Sequence, residues 1–595
     1  MREMFRPVTI GLLSAVVLSM PVAAAPVSAG DLRVTLEPAA PAANGLIHYL
    51  DVIVTAPIAK VSPGQPLLRL PLVIDNVQTA ANELTNIKAR DAIGPVKLTS
   101  TDDPAGEIPY RRWRAERAVQ GPLSIRYRIP ITNIPNARGA APPLELRSEN
   151  GAFSGEAGSF LVMPDDDNPY HLAVHWDFSS ATSGRHGLST VGFGDARTAD
   201  AAPPVELEVT YFMGGLIQHF PEAPSRSGFL SAWQGDPPFD TPAVMKWTET
   251  LYGFYLNFFR VPEGRPFGVF LRSNPINPGG GVEIGNSFVG TFSTTTDPAD
   301  LKLTLAHEMV HTFVHGFGSE STGGSWFSEG LAVYYQRVLP LRAGLITSET
   351  YLQDINSTAG RYFTDAMNRT PDDEIQSRFW ADTRIRVLPY DRGSMYFAQV
   401  DEAIRKESGG SRSLDDLVLE MLKRRHDGLP VNQDSWLQIV TRELGQTGKA
   451  QLEAMLAGDL VIPPSDSFGA CYERTTAPLR RYDLGFTTDV LSEPARIVRG
   501  LEPGSAAALA GLQNGDHIVK PVPQDGIQAD QHALLHLQVQ RRDRTLDIAY
   551  LPRGETVEAY QWKTTDQPPS SCTRNHQGVA SHSIDGQRIG AIDSW

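Results

Sequence analysis

The chain has 595 residues, more than one hydrophobic core usually organises, so several domains are expected. Hydrophobic residues make up 41% and charged residues 20%, an ordinary globular balance with enough apolar surface to build large cores. The formal net charge of -15 gives an acidic surface that repels phosphate backbones and anionic lipid, which argues against nucleic acid or membrane surfaces as partners.

In chain order, residues 1–29 read as a signal peptide. Arg2 and Arg6 form a positive start, residues 10–20 a short apolar stretch, and Val27-Ser28-Ala29 a cleavage site before Gly30. Export to the periplasm or the extracellular space follows; an uncleaved N-terminal anchor is the alternative. No later segment holds the roughly 20 apolar residues of a spanning helix, so the mature chain is expected to have no membrane span. Residues 30–215 read as an all-β domain. Leu123, Ile125, Tyr127 and Ile129 alternate with polar residues, and runs at 47–54 and 205–212 are strand-like. From 216 to 462 the pattern turns helical, with apolar spacing of helical period at 414–425 and 436–444. Ile462-Pro463-Pro464-Ser465-Asp466 then reads as a linker. Residues 474–562 return to short strands with one helix-like patch, and the polar tail 563–595 is expected to be partly disordered. The two cysteines, Cys471 and Cys572, either pair in an oxidising compartment or stay as separate thiols.

The segment that carries chemistry is His307-Glu308-Met309-Val310-His311, an H-E-x-x-H pattern. Asp297 can cap a helix there, Pro298 suits its first position, and Gly316 or Gly318 can end it. Imidazoles four residues apart project from one helical face and can reach one cation. A catalytic zinc needs three protein ligands and an open position. Glu329 is the natural third, because it interrupts the apolar run from Trp326 to Tyr335, where a carboxylate is costly unless paired or metal-bound. His315 reads as structural: on a continuing helix it sits about 12 Å along the axis from His307, beyond the reach of the same ion.

These residues resemble the gluzincin clan of one-zinc metallopeptidases, in which the glutamate ligand comes from the helix after H-E-x-x-H. The resemblance implies a thermolysin-like α+β catalytic domain with a helical C-terminal part. Gly280-Gly281-Val282-Glu283 resembles the G-x-M-E segment of clan aminopeptidases, which implies substrate-binding roles for Gly280, Gly281 and the amine-binding Glu283. Pro389-Tyr390-Asp391-Arg392-Gly393 resembles the P-Y-x-K-G segment, which implies that Tyr390 steadies the oxyanion. Val282 and Ile284 depart from the usual methionine and asparagine. Near the end, Asp483-Leu484-Gly485-Phe486, Pro503-Gly504-Ser505-Ala506-Ala507 and Asn514-Gly515-Asp516 resemble a PDZ domain, which implies capture of peptide C-termini. The combination is similar to the glycyl aminopeptidase family, which implies release of small N-terminal residues such as Gly and Ala from peptide or protein substrates. His307, His311 and Glu329 would hold the zinc, Glu308 would act as base on the activated water, and Tyr390 would assist. The alternatives are an endopeptidase without an amine requirement and a non-catalytic peptide-binding protein.

Overall fold

A computed structural model describes residues 30–565, apart from 59, 85, 107, 135–140, 180–183, 224–227, 262–266, 275, 277, 318–323 and 523. The expected signal peptide, Gly318, Cys572 and nearly all of the polar tail lie outside the described residues. Among the described residues, no helix is long and apolar enough to cross a membrane.

The N-terminal domain is a β-sandwich. Strands β1 (Gly30–Pro38), β2 (Tyr49–Ala56), β3 (Leu123–Pro130) and β4 (Tyr170–Trp176) form the centre of a seven-stranded sheet in the order β4-β1-β2-β3. Their alternate residues, Val34, Val52, Val54, Ile125 and Tyr127 among them, are buried against Leu68, Leu70 and Trp113 of a facing four-stranded sheet. The alternation at Leu123 to Ile129 is thus a one-face-buried strand, as expected. The run at 205–212 differs: Pro203 leads into a short helix, Pro204–Leu207, and the strand begins only at Tyr211. Proline at the first helical position explains the switch.

The helical reading from 216 onward misses a five-stranded sheet. Its order is β5 (Gln218–Phe220), β6 (Phe229–Trp233), β7 (Phe267–Ser273), β9 (Ser287–Phe292), β8 (Gly281–Ile284). Strands β6, β7 and β9 are parallel, and β8 returns antiparallel as a free edge. One face packs against the N-terminal domain through Tyr211, Met213, Leu230, Phe270 and Val289. The other carries helices α1 (Thr241–Phe258) and α2 (Pro298–His311), followed by α3 (Ser325–Arg342) and α4 (Ser348–Thr364). The short α5 (Thr383–Arg386), then α6 (Leu388–Glu407), α7 (Leu414–His426) and α8 (Gln433–Leu456) complete the helical part. Both helical patterns expected at 414–425 and 436–444 lie inside α7 and α8.

The segment expected as a linker is pinned down: the Pro463 carbonyl accepts from Arg474 at 2.6 Å, and the Ser465 carbonyl from the Trp562 indole N–H at 3.0 Å. A long ribbon of β10 (Tyr472–Tyr482) and β13 (Arg553–Thr564) then lies on α4 and carries a small domain with its own core. That domain holds the short helix Ala506–Leu509, helix α9 (Asp525–Ala529) and the hairpin β11 (Leu535–Arg541) and β12 (Arg544–Tyr550). Gly485 has φ 73°, and a Cβ there would lie 2.7 Å from Ser505, so the turn accepts only glycine without rearrangement. Cys471 is disulfide-bonded.

Candidate metal centre and its cleft

Helix α2 begins as its sequence dictates, with the Asp297 carboxylate accepting from the Ala299 N–H at 2.7 Å and Pro298 in the first turn. It ends at His311, earlier than the glycines beyond it require. His315 has therefore left the helix and lies exposed on the cleft rim, outside the ligand cluster. One turn apart on α2, His307 and His311 bring their Nε2 atoms within 3.3 Å of each other. Glu329, in the first turn but one of α3, places Oε2 3.3 Å from His307 Nε2 and 3.2 Å from His311 Nε2. Zinc bonds of 2.0–2.1 Å in tetrahedral geometry separate neighbouring ligand atoms by about 3.3 Å, so the three edges fit that ion. Glu329 Oε2 is also buried without an aligned hydrogen-bond donor, a costly position that a cation at the centre of the triangle relieves.

The electrostatics point the same way. Burial works against the charge of Glu329, but the imidazoles of His311 and His307 hold its carboxyl well below the usual range. Burial pushes Glu308 up against the pull of both histidines, which leaves it ready to take a proton. Its carboxylate accepts the backbone N–H of Glu283.

An outer layer orients His307, and sequence reasoning missed it. Gln336 Nε2 donates to both oxygens of Asp354, at 3.0 and 3.2 Å, which fixes the amide with Oε1 toward His307. His307 Nδ1, 3.0 Å from that oxygen, must then carry the proton, and Nε2 presents its lone pair to the metal position. Asp354 is held in turn by the buried Arg337 at 2.7 Å. The available signal was spacing: Gln336 falls two helical turns after Glu329 and so on the same face of α3.

Tyr390 sits in the first turn of α6, its ring parallel to that of His307 with centroids 5.8 Å apart. Burial, then the Glu329 and Glu308 carboxylates, push its hydroxyl well above the ordinary value, so it stays a donor. The helix start is fixed by buried Asp391, which takes both arms of Arg361 at 2.6 and 2.7 Å. Helices α3 and α6 cross at bare backbone: a Cβ on Gly330 would lie 2.7 Å from Gly393, and one on Gly393 would lie 2.6 Å from the Trp326 carbonyl.

A cleft of about 1220 Å³ runs past this centre. Edge strand β8 forms one wall, with Glu283 facing the cleft and pushed up to about 7, by burial first and by Glu308. The Gly280 carbonyl is already taken by the Thr291 N–H and hydroxyl at 2.9 and 3.0 Å. Alternation along an edge strand then leaves the backbone groups of Gly281 facing the cleft. Every site residue expected from sequence thus borders one cavity, though Gly280 has its acceptor occupied. The opposite wall was not foreseen: it includes Arg386 of α5 and residues of the C-terminal domain, Asp525 to Ile527, Asp530, Leu534 and His536.

A family model for M61 glycyl aminopeptidases matches residues 317–384, the segment that carries Glu329 and Gln336 and falls between His311 and Tyr390. No curated protein matches the chain significantly. Among solved structures, an aminopeptidase N family protein from Idiomarina loihiensis is similar with a TM-score of 0.64 at 14% identity, covering 91% of this chain and 99% of that one. An M1 zinc metallopeptidase from Deinococcus radiodurans gives a TM-score of 0.42 at 14% identity, covering 73% of this chain and 95% of that one. The first likeness establishes a shared multidomain architecture, with an N-terminal β domain and a helical part following the metal centre.

Proposed function

We propose that the chain is a zinc-dependent aminopeptidase that releases small N-terminal residues, Gly or Ala, from peptides. The observation that carries this reading is the convergence of His307, His311 and Glu329 on one point, beside Glu308 and at the end of a free strand edge. Zinc held there would supply a Lewis acid that acidifies water and polarises a carbonyl. Glu308 accepts the proton of the attacking water and passes it to the leaving amine, a role its raised affinity for protons suits. The Tyr390 hydroxyl donates to the negative charge developing on the carbonyl oxygen. Glu283 pairs with the substrate ammonium, and Gly281 offers backbone groups to an extended chain. The preference for small first residues rests on the glycyl aminopeptidase match across 317–384.

The export signal at Arg2 to Ala29 and the disulfide at Cys471 together support an oxidising compartment, periplasmic or extracellular. The C-terminal domain is read as PDZ-like from its Asp483 to Phe486 loop. Its Asp525 helix is docked on the catalytic domain, which favours a role at the cleft over free capture of peptide C-termini.

Matched peptides with a free and an acetylated terminus test the amine requirement. Hydrolysis of the free peptide at least about tenfold faster in kcat/KM is expected. Equal hydrolysis of both would make the protein an endopeptidase.

A further inference from the structure

We infer that the C-terminal domain forms the wall against which the downstream part of a peptide substrate lies, so that this centre acts on extended peptides rather than on single aminoacyl groups. The direction rests on the amine-at-Glu283 reading; the wall itself rests on geometry. The cleft continues from Glu283 back through Gly281, Gly279 and Pro278 and does not pass forward to Gly285. A peptide that adds antiparallel to the free edge of β8, with its amine at Glu283, therefore sends its later residues toward Pro278.

At that end the cavity is closed from the other side by the C-terminal domain. Leu534 and His536 border the same cleft, and a second groove of about 520 Å³ continues between Ile276 and Pro278 on one side and His536 and Gln538 on the other. Leu534 is 49% exposed, an apolar side chain on the lining of this cleft. A chain pairing residue for residue along this edge needs about five residues to pass from Glu283 to Pro278.

The wall is fastened rather than loosely apposed. Arg386 of α5 forks onto Asp525 with contacts of 2.5 and 3.2 Å, and Thr383 donates to the same carboxylate. Arg384 reaches the Thr488 hydroxyl at 3.1 Å. Burial raises the Asp525 carboxyl, but Arg386 outweighs it and keeps the group ionised, so the fork persists at neutral pH. A fixed surface opposite a free strand edge is what an extended chain needs to gain contacts beyond its first residue.

The test is equilibrium binding to the zinc-loaded Glu308→Gln protein, with peptides of one to six residues that share their first residue. Affinity is expected to rise up to the fifth or sixth residue. Leu534→Asp is expected to weaken the hexapeptide about tenfold and leave the dipeptide unchanged. His536→Ala, also at an exposed position, serves as the second variant should the first lower thermal stability. A plateau at the dipeptide, or an equal loss for both lengths, overturns the inference. An acetylated hexapeptide that binds as well as the free one, and still responds to Leu534→Asp, would remove the amine reading and leave the wall standing. A strict need for the free amine without any gain in affinity with length would do the reverse.

Discussion

Two desolvated glutamates in this molecule meet opposite fates. Glu156 lies at the end of a strand in the N-terminal domain, 4% exposed, with one carboxylate oxygen unpartnered and with Asp75 and Glu208 nearby. Burial first, and then those two carboxylates, push it up to about 8. Glu329 is also desolvated, yet two imidazoles hold its carboxyl far below the ordinary range. Burial alone neutralises a carboxylate, whereas neighbours that favour its charge, His311 first, keep it ionised. Glu329 is thus held charged where His307 and His311 converge, whereas Glu156, set among other acids, favours the protonated form.

The comparison can be broken at several points. Glu308→Gln removes the base but none of the ligands, so turnover should fall about a thousandfold while zinc content stays at the wild-type level. Steady-state kinetics and metal analysis on the same preparation check both halves. Gln336→Leu leaves His307 without its Nδ1 partner and should weaken zinc binding by about 10–100-fold, read by competition with a chelator. Gly393→Ala forces a Cβ into the Trp326 carbonyl and should cost about 1–3 kcal/mol of stability, seen in chemical denaturation.

A further effect, read in the pH dependence of stability, belongs to Glu156. Its folded-state affinity for protons is raised from 4.5 to about 8, so its stabilising contribution is complete below about pH 4.5 and is lost as pH rises through 8. Glu156→Gln should flatten that dependence, bringing a higher melting temperature at pH 8 and little change at pH 5. A melting curve with the same pH slope in both proteins would show that Glu156 is already ionised.

What the chain makes legible follows from how local each signal is. His307, Glu308 and His311 declare themselves because one helical turn suffices to bring them together. Glu329 is readable because a carboxylate amid Trp326 to Tyr335 demands a partner. Strands β7 and β9 escape notice because both faces are covered, so Phe267 to Arg272 and Ser287 to Phe292 are buried throughout and show no alternation. Gln336 gives no sign beyond its spacing from Glu329, since a glutamine on a helix is ordinarily a solvated residue. The cleft wall at Leu534 and His536 is invisible for a different reason: it is set by how two domains dock, through Arg386 and Asp525, which lie far apart along the chain.

The bare contact between Gly330 and Gly393 has a further consequence. Glu329 immediately precedes one of these glycines, and Tyr390 lies a single helical turn before the other. The span from metal corner to phenol is therefore ruled by two α-carbons in touch, with no side chain whose size could be adjusted. Such a spacing can be kept or lost but not graded, because the smallest available change is the width of a whole carbon atom.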